Sequence, residues 1–204
     1  MLSMPKIVDH DQYRQELLYR CFDLIAEKGY AAITMRQIAQ GLGVSTGTLY
    51  HYFPSKEELF AQLVEYVSYQ DTSEANIAQI HRHQTPSAKI QAMFELIASQ
   101  EDYFLHQTLM LMDFSRQKSR LEINQHRVLQ YAGDRYEQAV LDGLKVNHPV
   151  LVNLLLSLAD GILIRRLYLG DRVSISAQAQ LLAEMVTAYL EKHQPELPAS
   201  LPNS

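Results

Sequence analysis

The chain has 204 residues, 47% of them hydrophobic, and a formal net charge of −5. That apolar content supports a packed core and excludes a disordered chain. The acidic balance excludes nucleic-acid binding through overall charge, so any such role must rest on a local patch. A single cysteine, Cys21, excludes an internal disulfide framework and fits a reducing compartment.

The N-terminal stretch MLSMPKIVDHDQY has no apolar run able to form a signal-peptide core. Tyr13, Leu17, Cys21, Leu24 and Lys28 then recur at helical steps, with Asp9 or Asp11 placed to cap a first helix and Gly29 to stop it. Met35, Ile38, Ala39 and Leu42 mark a short second helix, opened by a Thr34–Gln37 capping box and bracketed by Gly41 and Gly43. A third begins at Ser45 and runs to about Tyr52, because Pro54 disfavours helix at Phe53. Ser55 and Glu58 fit a second capping box, opening a long helix predicted to reach about Ala78.

Thr85-Pro86 restarts the pattern as a cap followed by proline at the first helical position, with Ile90, Met93, Phe94 and Ile97 on the apolar face. Helical segments follow near 101–114 and 119–144, and KVNHPV is a punctuated joint. The apolar stretch VLVNLLLSLADGILIRRLYL is interrupted by Asn153, Asp160, Arg165 and Arg166, which suits a buried or interface helix rather than a membrane span. After a break at GDRVS, Leu181, Leu182, Met185, Val186, Tyr189 and Leu190 mark a last helix, followed by a proline-rich tail. The total is about nine helices, with no repeat and no sustained strand pattern. The predicted class is therefore all-α: a head of three short helices over 1–54 and a larger helical body over 55–204.

A short helix, a glycine turn and a second short helix make a helix-turn-helix. In QIAQGLGVSTGTLYHYF, the positions Ile38, Ala39, Leu42, Val44, Leu49 and Phe53 face inward. Ser45, Thr46, Gly47, Thr48, Tyr50, His51 and Tyr52 are left outward. Tyr50 and Tyr52 cannot share a face, so one of them packs. This face has hydrogen-bonding tips and no acid, and it suits a major groove. Arg36 and Lys56, near the starts of the flanking helices, add positive charge.

The run AITMRQIAQGLGVSTGTLYHYFPSKEELF resembles the DNA-binding signature of the TetR family of bacterial transcriptional regulators. The match is nearly unbroken from Ile33 to Phe60 and extends back to AEKGY. Beyond about residue 65 the likeness is architectural only. The resemblance implies a bacterial, cytoplasmic homodimer on double-stranded DNA, each head presenting its third helix. It assigns base-reading or groove-lining roles to Arg36, Ser45, Thr46, Gly47 and Thr48, and backbone contacts to Thr34, Tyr50, His51 and Lys56. One feature departs from expectation: residues 1–60 hold six Lys or Arg against seven Asp or Glu, a net −1. Phosphate contact must then lean on hydroxyls and backbone amides, and affinity is expected to be modest at physiological salt.

Other chemistry is weakly signalled. His81-Arg82-His83 does not suit a metal, since alternate residues on a helix diverge. No G-x-S-x-G nucleophile motif occurs, so no enzyme, catalytic residue or cofactor is predicted. The Met-, Phe- and Tyr-rich segment from Met93 to Met112 serves equally as core or as an adaptable pocket wall. Met93, Phe94, Ile97, Tyr103, Phe104, His106, Met110 and Tyr131 are the candidate contacts for an unknown, mainly apolar effector. The expected function is a ligand-responsive regulator, a repressor released by that effector. The alternative is a DNA-bound factor that recruits a protein partner, like the TetR-type nucleoid-occlusion factors.

Overall fold

A computed structural model describes residues 9–145 and 148–193, and over them the fold is all-α. Eleven α-helices follow one another there: α1 His10–Lys28, α2 Met35–Leu42, α3 Thr46–Tyr52, α4 Lys56–Asp71, α5 Glu74–His81, α6 Pro86–Ser99, α7 Glu101–Ser115, α8 Arg120–Asn124, α9 Arg127–Leu144, α10 Pro149–Leu169 and α11 Ile175–His193. A 3₁₀ turn, Gly170–Arg172, separates the last two.

Two of the nine expected helices are divided, which accounts for eleven. The helix opened by Ser55 ends at Asp71 instead of reaching Ala78. There the Thr72 hydroxyl donates to the Ser68 carbonyl at 2.7 Å, a local bond of the kind that competes with helix continuation. The 119–144 segment breaks at Gln125-His126, and the Asn124 carbonyl freed by the break accepts from the Gln130 amide at 2.7 Å. The capping box at Thr34–Gln37 is complete in both directions. At Ser55 only one half forms, since the Glu58 carboxylate accepts from Gln62 instead. In the KVNHPV joint, Lys145 takes a left-handed φ of 55° and the His148 ring caps α10. Val146 and Asn147 lie outside the described residues, as do 1–8 and the proline-rich tail from 194.

The described helices form two compact units. The first joins the described residues up to 73 with 102–139, and the second joins 74–101 with the described residues from 140 on. The packing unit that contains the head is therefore larger than residues 1–54. Its core runs without interruption from Leu17, Ile38, Leu49 and Phe53 through Phe60 and Leu63 to Met110 and Phe114. Phe60 and Phe114 stack at 3.9 Å, and Tyr30 closes on both at 5.0 and 5.3 Å. The end of α7 also holds the turn between α1 and α2: Asp113 accepts from the Ala31 N–H at 2.6 Å.

At the last residue of α4, the half-buried Asp71 carboxylate accepts from Tyr103, Gln107 and Tyr136 on α7 and α9. Burial pushes its pKa up, against the opposing pull of these three donors.

The second unit packs α6 against α11, with Ile90, Phe94, Leu155 and Ala183 at its centre. Arg166 forks onto Glu101 with two 2.6 Å bonds and reaches the Val173 carbonyl, tying down the break at Gly170, where φ is 55°. One face of α10 is buried through Leu151, Val152, Leu155, Ala159, Ile162 and Leu163. The same helix leaves Val150, Leu154 and Tyr168 exposed, and α11 leaves Leu181, Met185 and Tyr189 exposed. Among the described residues, no helix is long and apolar enough to cross a membrane.

Candidate nucleic-acid interface

The α2–turn–α3 element is built from local rules. Thr34 caps α2, whose Met35, Ile38, Ala39 and Leu42 are buried. Gly43 ends it in the left-handed region, at φ 70°, which glycine adopts without steric cost. Arg20 donates to the Leu42 carbonyl at 2.6 Å, so this cation of α1 serves the end of α2. Ser45 caps α3 by accepting from the Thr48 N–H at 2.9 Å, and its hydroxyl also pairs with that of Thr48 at 2.8 Å. Leu49 and Phe53 are fully buried and anchor α3 to the head, and Val44 packs half-buried against the same core.

Of the residues predicted to face outward, Ser45, Thr46, Gly47, Tyr50 and His51 are exposed, while Thr48 and Tyr52 are half-buried. Tyr50 is 47% exposed, and Tyr52 packs against α1 with its ring 5.5 Å from that of Tyr13. A Cβ placed on Gly47 would meet nothing closer than the Ser45 Oγ at 3.7 Å. The fold thus does not demand glycine at 47, and its effect is to leave a bare strip of backbone facing outward.

Thr34 and Arg36 are exposed on α2. Lys56 opens α4, a position where a cation opposes the helix dipole. Its ammonium lies 4.5 Å over the Tyr30 ring and donates to the Ala31 carbonyl at 3.3 Å. Desolvation there lowers its pKa, and nearby Asp113 partly offsets the shift.

The effector candidates fall in both compact units. Met93 and Phe94 are buried and Ile97 half-buried on α6 of the second unit. On α7 of the first unit, Met110 is buried, and Tyr103, Phe104 and His106 are half-buried. The Tyr103 hydroxyl already donates to Asp71. Tyr131 is exposed on α9, where its hydroxyl pairs with Tyr69 and Arg135. The His81 ring bonds the Asp142 carbonyl at 2.8 Å, and among the described residues no group of three His, Cys, Asp or Glu could hold a metal ion.

Sequence reasoning did not anticipate that His10, at the start of α1, bonds the Tyr52 hydroxyl through Nδ1 at 2.8 Å. No local signal could have found it, because the partners are 42 residues apart.

A capped helix-turn-helix joined to further helices, with a polar and acid-free outer face on its second helix, is an arrangement suited to presenting that helix to a DNA groove. Residues 17–63 match the family described as bacterial regulatory proteins, tetR family. The chain is 26% identical over 193 residues to the HTH-type transcriptional regulator BetI of Rhizobium meliloti (strain 1021), covering 92% of this chain and 94% of that one. It is 31% identical over 97 residues to the nucleoid occlusion factor SlmA of Haemophilus ducreyi, a match spanning 48% of each chain. In fold it is similar to the regulator FadR from Bacillus subtilis in complex with stearoyl-CoA, with a TM-score of 0.63, 21% identity, and 85% of this chain and 97% of that chain covered. Residues 17–63 thus carry a TetR-type DNA-binding segment, and over nearly its whole length the chain is similar to a transcriptional regulator.

Proposed function

We propose that this protein is a ligand-responsive repressor that binds a palindromic operator as a homodimer and is released by a mainly apolar small molecule. The observation that carries the reading is the outer face of α3: Ser45, Thr46, Gly47, Tyr50 and His51 stand exposed on a helix whose inner side is locked by Leu49 and Phe53. In this reading α3 lies in the major groove. Thr46 and Thr48, with Arg36, Ser45 and bare Gly47, meet base edges, while Thr34, Tyr50, His51 and Lys56 reach phosphates.

The apolar rows left open on α10 and α11 support a dimer in which these helices pair with their copies as a four-helix bundle. The heads would then sit about 34–36 Å apart, or a multiple of that. The Met- and aromatic-rich α6 and α7 support an apolar effector. So does a shared fold with FadR, whose structure holds stearoyl-CoA. A ligand that favours the low-affinity arrangement by about 1–3 kcal/mol would loosen operator binding roughly 5–150-fold.

The test is selection of duplexes from a random-sequence pool, followed by titration. Tyr50→Ala should weaken all sequences by a similar factor, whereas Thr46→Ala should change the preferred sequence. Unaltered affinity and preference in both variants would refute the assignment. For the effector, compounds that raise the melting temperature are titrated against the selected duplex. Hits that stabilise the protein but leave duplex affinity unchanged would refute the switch.

A further inference from the structure

Beside the exposed face of α3 lies an open cleft of about 250 Å³, lined by His10, Asp11 and Arg14 of α1 and by His51 and Tyr52 of α3. The two imidazoles stand with ring centres 6.2 Å apart, and the His51 ring lies 5.0 Å from that of Tyr52. Asp9 on the same rim is occupied as the α1 cap, accepting from the Asp11 and Gln12 N–H groups. Asp11 pairs with Arg14 at 2.8 Å, so their charges cancel within the cleft. Tyr13 packs behind Tyr52, and Tyr50 stands exposed on the far side of α3. With Asp9 and Asp11 both engaged, the groups of the cleft left open to an incoming anion are its two imidazoles.

Resting on the DNA-binding reading above, we propose that this cleft is a phosphate subsite that carries the DNA contact beyond the helix-turn-helix onto α1 and makes duplex affinity rise as pH falls. Two cationic imidazoles at this separation repel each other, and an anionic phosphate oxygen between them removes the repulsion. Phosphate and protons therefore bind cooperatively, each strengthening the other. The hydrogen bond between His10 and Tyr52 supplies a further step. While Nδ1 is unprotonated, the Tyr52 hydroxyl donates to it. Once protonated, Nδ1 donates to the Tyr52 oxygen, and the hydroxyl hydrogen turns to the phosphate. Arg14 keeps donors beyond the one spent on Asp11. The head is net −1 over residues 1–60, and α3 holds no Lys or Arg. Histidine protonation is thus the available route to positive charge on this face of α3.

The experiment measures the affinity of the full chain for a random-sequence duplex against pH and salt. Wild type should bind roughly five- to tenfold more tightly at about pH 6 than at about pH 8. His10→Gln with His51→Gln should flatten that profile, and His83→Gln, on the surface of the second unit, should leave it intact. Arg14→Gln should lower the salt slope by about one. Inorganic phosphate followed through the imidazole NMR signals should compete with duplex for the same residues. Phosphate binding that duplex does not displace would reassign the cleft to a free anion and overturn the proposal. A wild-type affinity independent of pH, or a pH profile retained by the double variant, would overturn it alone. Failure to bind duplex at any pH would overturn the DNA reading itself.

Discussion

At Asp71 burial and hydrogen bonding act in opposite directions on one carboxylate. That carboxylate is half-buried at the negative end of α4, and three donors from α7 and α9 converge on it. Removing the acceptor with Asp71→Ala strands those donors and should cost about 2–4 kcal/mol in urea unfolding. Asp71→Asn keeps an acceptor and should cost less. Because the folded-state pKa is raised, mainly by burial, the folded chain holds this proton more tightly than the unfolded chain. The contribution of the residue to stability is complete below the ordinary carboxylate value and is lost as pH rises through the raised folded value. Wild type should therefore lose stability relative to Asp71→Asn as pH rises above the ordinary carboxylate value, and a constant difference would contradict the assignment. Cys21 offers a second test at this scale. Burial pushes its thiol up to about 12, so it should resist alkylation at neutral pH in the native chain and react only after unfolding.

At the scale of elements, the turn between α2 and α3 depends on two local devices. Gly43 supplies a left-handed backbone, and Ser45 caps α3. Gly43→Ala strains the turn and should destabilise the chain by about 1 kcal/mol. Ser45→Ala removes the cap, for a loss of about 1 kcal/mol. Ser45→Asp separates folding from binding: it retains the cap and the thermal stability, but a carboxylate carried into the groove meets the negative potential of the duplex and should abolish affinity. If Ser45→Asp bound as tightly as wild type, the start of α3 would not lie in the groove. The turn is also held from outside by the 2.6 Å bond from Ala31 to Asp113 and the Phe60–Phe114 stack, which make α7 part of the unit that contains the head.

For the whole molecule the decisive question is assembly. Leu154 and Met185 are 54% and 62% exposed, whereas Leu158 is half-buried against its own core. Glutamate at both Leu154 and Met185 should thus break the proposed dimer without unfolding the subunit, while a charge at Leu158 would confuse the two effects. Sedimentation should show the double variant as a monomer with a native circular-dichroism spectrum. Its affinity for a palindromic duplex should fall more than roughly tenfold, with far less change on a half-site. A double variant that stayed dimeric would place the interface elsewhere.

What could be read from the sequence was what three or four neighbouring residues decide together. The caps at Thr34, Ser45 and Thr85, the stop at Gly29 and the glycine turn at Gly43 each act within a single helical turn, and all are present in the structure. The inward side of α3 followed from helical spacing for the same reason, and spacing also required one of Tyr50 and Tyr52 to pack; the structure packs Tyr52 and leaves Tyr50 exposed. What only the tertiary structure decided rests on partners far apart in the chain. The ring that holds Tyr52 is 42 residues away, and the Asp113 carboxylate that holds the head turn is 82 residues from Ala31. Asp71 meets donors 32, 36 and 65 residues distant. The apolar α10 left its outward side undetermined in sequence, because almost any face of such a helix can be buried. Packing against the second unit's own core chose one face, and the remaining exposed row is the surface the sequence could not single out.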